Sequence, residues 1–257
     1  RFDKEDHLGN LTGKVAIVTG AGRGMGQAIA HTMAKNGASV VLNDLDEETV
    51  TMATSDISKF NREVISDVGN VSNTTYVNEM ISRTLSRFNS VDILVNNAGV
   101  LRPTPIIDIT EEEWDFVVTG NLKTTFLCSK SVIPIMQKRG WGRIINISSS
   151  AGKNISTIGG AHYTAAKAAV LGFTRHMAKE VAEFGITVNA LCPGLIDTEM
   201  VRSTITPQRT TEYADSFPIQ RLGKPKEIAD LVNFLSSEQA AYITGASIDI
   251  NGGDLMI

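Results

Sequence analysis

The segment 14–37 limits the fold more strongly than any other part of the sequence. A β-branched run, 14–19, leads directly into a glycine-rich turn, and apolar residues at helical spacing follow until Asn36 and Gly37. A strand, a glycine turn and a helix in this order let backbone N–H groups receive a pyrophosphate, because bare glycine backbone allows close approach. The alternative for the glycines alone is a tight connection between a strand and a helix. The segment therefore predicts the first unit of an α/β fold, with a phosphate site at the turn.

The glycine spacing differs from the common dinucleotide fingerprint. Met25 stands where that fingerprint has its third glycine, so the matching pattern is Thr19-Gly20-x-x-x-Gly24-x-Gly26.

An acidic residue ends the second predicted strand. The run 39–43 is followed by Asp44, at about the distance from the first glycine that a ribose-binding carboxylate requires. Its charge would repel the additional phosphate of NADP, so the sequence favours NAD. Arg23 in the turn opposes this inference, since a guanidinium can pair with a 2′-phosphate. A solvated loop acid among the acidic residues 46–48 is the alternative for Asp44.

Strand and helix patterns then alternate with short connections. Continuous apolar runs such as 91–95 are typical of parallel strands that are buried on both faces. Predicted strands cover 63–67, 91–95, 143–147, 186–191 and 246–250, and predicted helices cover 72–87 with Ser72 as the cap, 110–138 where Pro134 could introduce a kink, and 162–184. Asn96-Asn97-Ala98-Gly99 closes the fourth strand at its carboxyl end, where open α/β sheets bind ligands. The segment 197–221 has no clear sheet element.

Tyr163 and Lys167 stand four residues apart in a predicted helix and share one helical face. Three serines, 148–150, end the fifth strand just before it. Bringing the pKa of a phenol from about 10 to near neutrality takes roughly 4 kcal/mol. One cation about 4 Å away supplies an energy of that size at an effective dielectric constant of about 20. A serine hydroxyl can donate to an oxygen on which negative charge develops. The alternative for such a pair alone is a solvated helix face.

Composition and charge exclude several classes of function. A net charge of −4 and a pI near 5.6 leave no basic surplus for nucleic acid. No apolar run approaches the roughly 20 residues of a membrane span, and residues 1–10 lack the pattern of a secretory signal. Cys128 and Cys192 have no ligand spacing, so we expect no metal and a reducing, cytoplasmic environment. A length of 257 residues favours one domain.

Several short motifs occur together and in a fixed order. They are Thr19-Gly20-Ala21-Gly22-Arg23-Gly24-Met25-Gly26, Asp67-Val68, Asn96-Asn97-Ala98-Gly99, Asn121, Ser148-Ser149, Tyr163-x-x-x-Lys167, Pro193-Gly194 and Tyr242-Ile243-Thr244-Gly245. Each is weak alone, but together, over residues 11–253, they resemble the short-chain dehydrogenase/reductase family. The resemblance implies a single doubly wound domain over 1–257, a Rossmann fold with a seven-stranded parallel sheet and helices on both faces. It also implies hydride transfer between a nicotinamide cofactor and an alcohol or carbonyl carbon.

The resemblance further implies which residues act. Tyr163 would be the acid/base, and Lys167 would bind the cofactor ribose and lower the pKa of the phenol. Ser149 would hold the substrate oxygen and Asn121 would support a proton-relay water, although Asn121 could instead bond within its helix. The implied cofactor-binding residues are Gly20, Arg23, Gly24, Met25, Gly26, Asp44, Leu45, Asp67, Val68, Asn97, Ala98, Gly99, Tyr163, Lys167, Pro193, Ile196 and Thr198. Asp67 and Val68 would lie beside adenine, unless Asp67 is only a turn acid. A mobile substrate lid would cover 199–217, within the segment 197–221.

Three functions stay open at this point. The first is an NAD-dependent dehydrogenase of a small secondary alcohol, polyol or hydroxy acid. The second is a 3-oxoacyl-[carrier protein] reductase, which Asp44 disfavours because reductive biosynthesis usually draws on NADPH. The third is a nucleotide-binding scaffold without activity.

Two further expectations concern the substrate and the assembly. Residues that hint at a polar ligand are Arg102, Thr104, Lys153, Asn154, Thr157 and His162, although a partly buried structural histidine is the better interpretation of His162. We expect a homotetramer, partly from the resemblance and partly because a monomer would expose the apolar end Leu255-Met256-Ile257.

The three serines leave the substrate-binding serine ambiguous. Counting back about 13 residues from Tyr163, the common family interval, selects Ser150, whereas counting forward along the strand selects Ser149. A shift by one residue turns a side chain to the opposite face, while a loop absorbs an insertion at little cost. We therefore assign Ser149, place the extra residue within 153–160, and expect Ser148 and Ser150 to face away from the substrate oxygen.

Overall fold

The strands form a single parallel sheet. They are β1 (Val15–Thr19), β2 (Ser39–Asp44), β3 (Val64–Val68), β4 (Ile93–Asn96), β5 (Gly142–Ile147), β6 (Ile186–Pro193) and β7 (Ser247–Ile250). The computed structural model describes residues 9–59 and 63–257, and within them the strand order is β3-β2-β1-β4-β5-β6-β7. The expected doubly wound, seven-stranded Rossmann fold is confirmed. Residues 1–8, in which the sequence predicts no secretory signal, lie outside the described residues.

Helices alternate with the strands. They are α1 (Gly24–Lys35), α2 (Glu47–Ser58), α3 (Thr74–Phe88), α4 (Glu111–Val118), α5 (Thr124–Arg139), α6 (Ala161–Val181), α7 (Glu199–Thr204), α8 (Pro207–Ser216) and α9 (Pro225–Leu235). A π turn, Thr119–Lys123, separates α4 from α5, and a 3₁₀ turn, Ser150–Gly152, follows β5. The winding reverses between β1 and β4, so a crevice opens at their carboxyl ends.

Successive strand residues pack into cores on opposite faces of the sheet. Ala16 and Val18 share one core with Val232 of α9, whereas Ile17 lies in the other with Val132 of α5. Both faces are therefore covered, which explains why the strands are continuous apolar runs in the sequence.

The segment 197–221 contains α7 and α8 and is closed at its base. The N–H of Asp197 donates to the carbonyl of Gly223 at 2.8 Å, and the N–H of Gly223 donates to the carbonyl of Leu195 at 3.0 Å. Phe217 is buried beside Leu195 and Val201. These backbone hydrogen bonds thus hold the two ends of the helical loop together just after the carboxyl end of β6.

Some local predictions are wrong. Ser72 does not cap α3, because its N–H donates to the Asn70 side chain in a preceding turn, and Asn73 caps the helix by accepting from the N–H of Tyr76 at 3.1 Å. The predicted helix 110–138 is interrupted by the π turn. Helix α2 was not predicted, because its acidic first turn was interpreted as loop. Pro134 lies inside α5.

None of the helices within 9–59 and 63–257 has the length and apolar character of a membrane span.

Candidate active site

Hydrogen bonds fasten the glycine turn to the end of β4. The N–H groups of Asn97 and Ala98 donate to Oγ1 of Thr19 at 3.1 and 3.0 Å. Nδ2 of Asn97 donates to the carbonyls of Thr19 and Gly20 at 3.0 and 2.9 Å. The Asn97 side chain therefore shapes the turn.

Glycine is required at three positions of the turn. Gly20 and Gly24 have φ angles of 62° and 58°, which other residues rarely adopt. A Cβ on Gly26 would overlap the carbonyl oxygen of Gly20. Helix α1 can therefore pack directly on the turn, with its first residues, Gly24 and Met25, bordering the crevice.

The Asp44 carboxylate is oriented by backbone donors. Oδ2 accepts from the N–H of Gly22 at 2.9 Å, and Oδ1 accepts from the N–H groups of Leu45 and Asp46 at 2.8 and 3.3 Å. The side chain of Asp46, in contrast, caps α2. Asp44 is thus held in the crevice wall by the backbone around it, whereas Asp46, which also borders the crevice, is held by helix α2.

Arg23 contacts the segment 197–221. Its Nη1 lies 3.5 Å from Oε2 of Glu199, the first residue of α7. Both side chains are more than half exposed, so the ion pair contributes little energy. Arg23 therefore joins the glycine turn to the predicted lid in this structure.

These elements border a cleft of about 620 Å³, which we call the cofactor cleft. Of the predicted cofactor-binding residues, it is lined by Gly20, Arg23, Gly24, Met25, Asp44, Leu45, Asn97, Ala98, Gly99 and Thr198. Sequence reasoning missed other lining residues, among them Asn70, Val71, Phe116 and Met200. The position of Asn70 and Val71 just beyond the carboxyl end of β3 could have identified them.

Asp67 and Val68 are not among the residues that line the cofactor cleft. Both carboxylate oxygens of Asp67 accept from Arg83 at 2.8 Å, and the hydroxyl of Tyr76 also donates to it. Asp67 is buried, and its hydrogen bonds with Tyr76 and Arg83 join the end of β3 to α3. Burial and the Asp67 carboxylate together raise the pKa of Tyr76.

A narrow recess of about 80 Å³ adjoins the cofactor cleft, and we call it the substrate recess. Met25, Thr198 and Met200 border both cavities. The remaining lining residues include Ser149, Tyr163, Thr157, Pro193, Ile196 and Val201. The recess thus brings the predicted catalytic hydroxyls to one end of the cofactor cleft.

Tyr163 lies in the first turn of α6. Burial raises the pKa of its phenol, and a hydrogen bond with Ser149 acts in the opposite direction. We expected the Lys167 ammonium to lower this pKa. In the chain by itself burial dominates, because the Lys167 ammonium lies 5.7 Å from the ring centroid and donates to the carbonyl of Ile147 at 2.8 Å.

Lys167 and Asn121 converge behind Tyr163. Burial lowers the pKa of Lys167 to about 8. Nδ2 of Asn121 donates to the carbonyls of Val100 and Val117 at 2.7 and 2.8 Å, which leaves Oδ1 buried and unpaired. A Cβ on Gly99 would meet this oxygen at 2.7 Å and the Lys167 Nζ at 3.5 Å. A water molecule there could donate to Oδ1 of Asn121 and accept from Nζ of Lys167.

All three serines border the substrate recess, but they make different contacts. Oγ of Ser148 is buried and donates to the carbonyl of Lys167 at 2.8 Å. Oγ of Ser149 accepts from the N–H of Ala151 at 3.1 Å and bonds with Tyr163. Ser150 begins the 3₁₀ turn. Of the three, Ser149 is the serine that interacts with the phenol.

Similarity to known proteins agrees with this arrangement. A family model described as enoyl-(acyl carrier protein) reductase matches residues 20–254. The 3-oxoacyl-[acyl-carrier-protein] reductase FabG of Vibrio cholerae is 44% identical over 253 residues, which covers 96% of this chain and all of that protein. The chain belongs to the short-chain dehydrogenase/reductase family.

Solved structures place this short-chain dehydrogenase/reductase among the same relatives. A 3-oxoacyl-[acyl-carrier protein] reductase from Brucella melitensis has a TM-score of 0.92 at 32% identity, over 97% of this chain and 94% of that one. A further Brucella melitensis structure, described as a 3-oxoacyl-[acyl-carrier protein] reductase with bound NAD, has a TM-score of 0.90 at 32% identity, with the same coverage.

As a short-chain dehydrogenase/reductase, the chain is an oxidoreductase that binds a nicotinamide cofactor. The residues present fit such a group. The glycine turn brings bare backbone to the cleft, Asp44 borders the cleft, and the recess that Tyr163 lines adjoins it. When bound, the cofactor supplies or accepts a hydride.

Several residues that hinted at a polar ligand have other partners. Nζ of Lys153 donates to the carbonyl of Ser247 at 2.9 Å and pairs with Asp249 at 2.8 Å, because β7 lies beside this loop. The Arg102 guanidinium lies over the Phe116 ring at 5.0 Å. Asn154 is exposed, Thr104 bonds to Glu113, and His162 is fully rather than partly buried. Of this group, Thr157 lines the substrate recess.

Proposed function

We propose that this short-chain dehydrogenase/reductase reduces the 3-oxo group of an acyl chain held as a thioester on a carrier. The observation that carries the proposal is the full-length similarity to 3-oxoacyl-[acyl-carrier-protein] reductases, at 44% identity for the Vibrio cholerae protein. Our first hypothesis, a dehydrogenase of a small alcohol, is the second candidate. Asp44 favours that candidate only through its preference for NAD, and a cofactor preference does not identify the substrate.

The geometry supports an acid-assisted reduction. Oγ of Ser149 accepts from the N–H of Ala151, so its one proton is left to donate, to the phenol oxygen in the chain alone and to the substrate oxygen once substrate is bound. Tyr163 is protonated at neutral pH because burial raises its pKa, and it can transfer that proton as negative charge develops on the oxygen. Lys167 and the unpaired Oδ1 of Asn121 can hold a water that returns the proton. The helical loop 197–221 would act as the lid over the substrate.

The test is a comparison of substrates with one cofactor. Acetoacetyl thioesters of coenzyme A and of a carrier protein should be reduced with a kcat/KM at least about tenfold above that of small ketones of similar size, since the distant part of a substrate contributes to transition-state binding. Faster turnover of small ketones would favour the alcohol dehydrogenase. No turnover of any carbonyl compound would favour the inactive scaffold.

We expect NAD(H) to be preferred over NADP(H) by at least about tenfold in kcat/KM, because one like-charge contact costs about 1.4 kcal/mol or more. Asp44 borders the cofactor cleft with its carboxylate held by backbone N–H groups, which supports its predicted contact with the ribose. Replacing Asp44 with Ala should relax the preference. The matched control is Glu48→Ala, at an exposed acid that does not line the cleft, and it should leave the preference unchanged. Equal efficiencies in the unmodified protein would contradict the prediction.

The pH profile should differ between the two directions. Reduction needs the phenol form of Tyr163, which a raised pKa maintains, and the charged form of Lys167, which is lost as the pH rises through about 8. The initial rate of reduction should therefore be constant from about pH 6.5 to 7.5 and decrease above about pH 8. Oxidation needs the phenolate and the same charged Lys167, so its rate should increase with pH up to about 8. Initial rates at saturating cofactor measure both profiles, and a reduction rate that rises above pH 8 would exclude this assignment.

We propose that the chain forms a homotetramer. Apolar side chains stand exposed on α5 and at the C-terminus, with Phe126 at 41% and Ile257 at 81% exposure. Light scattering at micromolar concentration should give four times the chain mass. Phe126→Glu should lower that mass, whereas Met52→Glu, at an exposed apolar site on α2, should leave it unchanged. A monomeric unmodified protein would contradict this prediction.

A further inference from the structure

The residue before Tyr163 is a buried histidine with both ring nitrogens engaged. His162 has no exposed surface. Its Nδ1 accepts from the N–H of Tyr163 at 3.0 Å, and its Nε2 lies 3.0 Å from Oε1 of Glu113 in α4.

These contacts select one tautomer. A backbone N–H can only donate, so Nδ1 must be the acceptor and the neutral ring carries its proton on Nε2. Nε2–H then donates to the Glu113 carboxylate. The ring is also confined sterically, since it stacks on Trp114 at 6.5 Å and a Cβ on Gly160 would meet its Cε1 at 2.7 Å.

Helix α4 connects this histidine to the cofactor cleft. Glu112, Asp115 and Phe116 line the cleft, whereas Glu113 faces α6. Thr104 also bonds to Glu113, and the Arg102 guanidinium lies near enough to act on its charge. One short helix thus borders the cofactor on one side and holds His162 on the other.

We propose that His162 is a positioning residue that couples the α4 wall of the cofactor cleft to the first turn of α6 and so fixes the phenol of Tyr163 beside Ser149. The proposal rests on the acid role of Tyr163 in the proposed function. His162 does not line the cleft or the recess, so it acts through the backbone of its neighbour. Its removal should lower kcat and leave cofactor affinity intact.

The experiment compares substitutions that keep or remove one hydrogen bond. Glu113→Leu removes the acceptor for Nε2–H, whereas the conservative Glu113→Gln retains an amide oxygen there. His162→Phe removes both ring contacts but keeps the stacking ring. We expect kcat for acetoacetyl-CoA to fall about tenfold in the Leu and Phe variants, because small misplacements of a reacting group are costly. NADH affinity, from fluorescence titration, should stay within about twofold, and Glu113→Gln should restore most of kcat.

The double variant His162→Phe/Glu113→Leu completes the test. If both residues act through one contact, it should lose no more activity than His162→Phe alone. Additive losses, equal kcat in the Leu and Gln variants, or a loss of NADH affinity matching the loss of kcat would overturn the proposal. Glu113 is partly exposed, so its variants carry the test if His162→Phe does not fold. Activity of the unmodified enzyme and its loss in Tyr163→Phe report on the proposed function separately.

Discussion

Replacing Tyr163 with Phe should lower kcat/KM for carbonyl reduction by about 10³-fold, within the range usual for loss of a general acid. The substitution removes one hydroxyl and preserves the ring that packs in the first turn of α6. The substrate oxygen would then gain negative charge with only Ser149 as a donor. Steady-state reduction of acetoacetyl-CoA with NADH measures the loss.

The control for this substitution is Tyr242→Phe, because Tyr242 is fully exposed on the surface and should contribute nothing to turnover. NADH affinity of Tyr163→Phe should remain close to that of the unmodified protein. If Tyr163→Phe keeps a tenth or more of the activity, another group supplies the proton.

Among the three serines, Ser149→Ala should have the largest effect, a loss of about 100-fold or more in kcat/KM, as expected on removal of one oxyanion donor. All three serines border the substrate recess, and Ser149 is the one that bonds with the phenol. Ser150→Ala should cost much less, since the backbone of Ser150, not its hydroxyl, forms the 3₁₀ turn.

Ser148→Ala separates catalysis from stability. The Ser148 hydroxyl is buried on the carbonyl of Lys167, so its loss should lower the free energy of unfolding by about 1 kcal/mol. Urea unfolding measures this change. A crippled Ser150→Ala beside a near-native Ser149→Ala would show that the insertion lies on the strand side of the serines.

Local sequence patterns were sufficient for the strands, the glycine turn and the helix of Tyr163, because each depends on residues close together in the chain. The partners of polar side chains were not predictable in this way. Asp67 was expected beside adenine, yet Arg83 from the next helix takes both of its oxygens. Lys153 was among the residues that hinted at a polar ligand, yet Asp249, 96 residues later, binds its ammonium.

The substrate was the least predictable feature. Asp44 is predicted to contact the ribose and so concerns only the cofactor, whereas the proposed acyl group would lie among residues of the recess and the predicted lid that share no motif. Similarity over the whole chain shifted the main hypothesis from a small alcohol to a carrier-bound 3-oxoacyl group.

The closed base of the loop 197–221 separates substrate selection from folding. Its ends meet at Leu195, Asp197 and Gly223, so the part of the loop beyond Met200 could differ in length or sequence without disturbing β6, whereas Thr198, Glu199 and Met200 also border the cofactor cleft. Closing a longer loop costs little entropy, about 0.6 kcal/mol for each doubling of length. Proteins that share this fold can therefore differ in the loop, and so in substrate, while the site of hydride transfer stays the same.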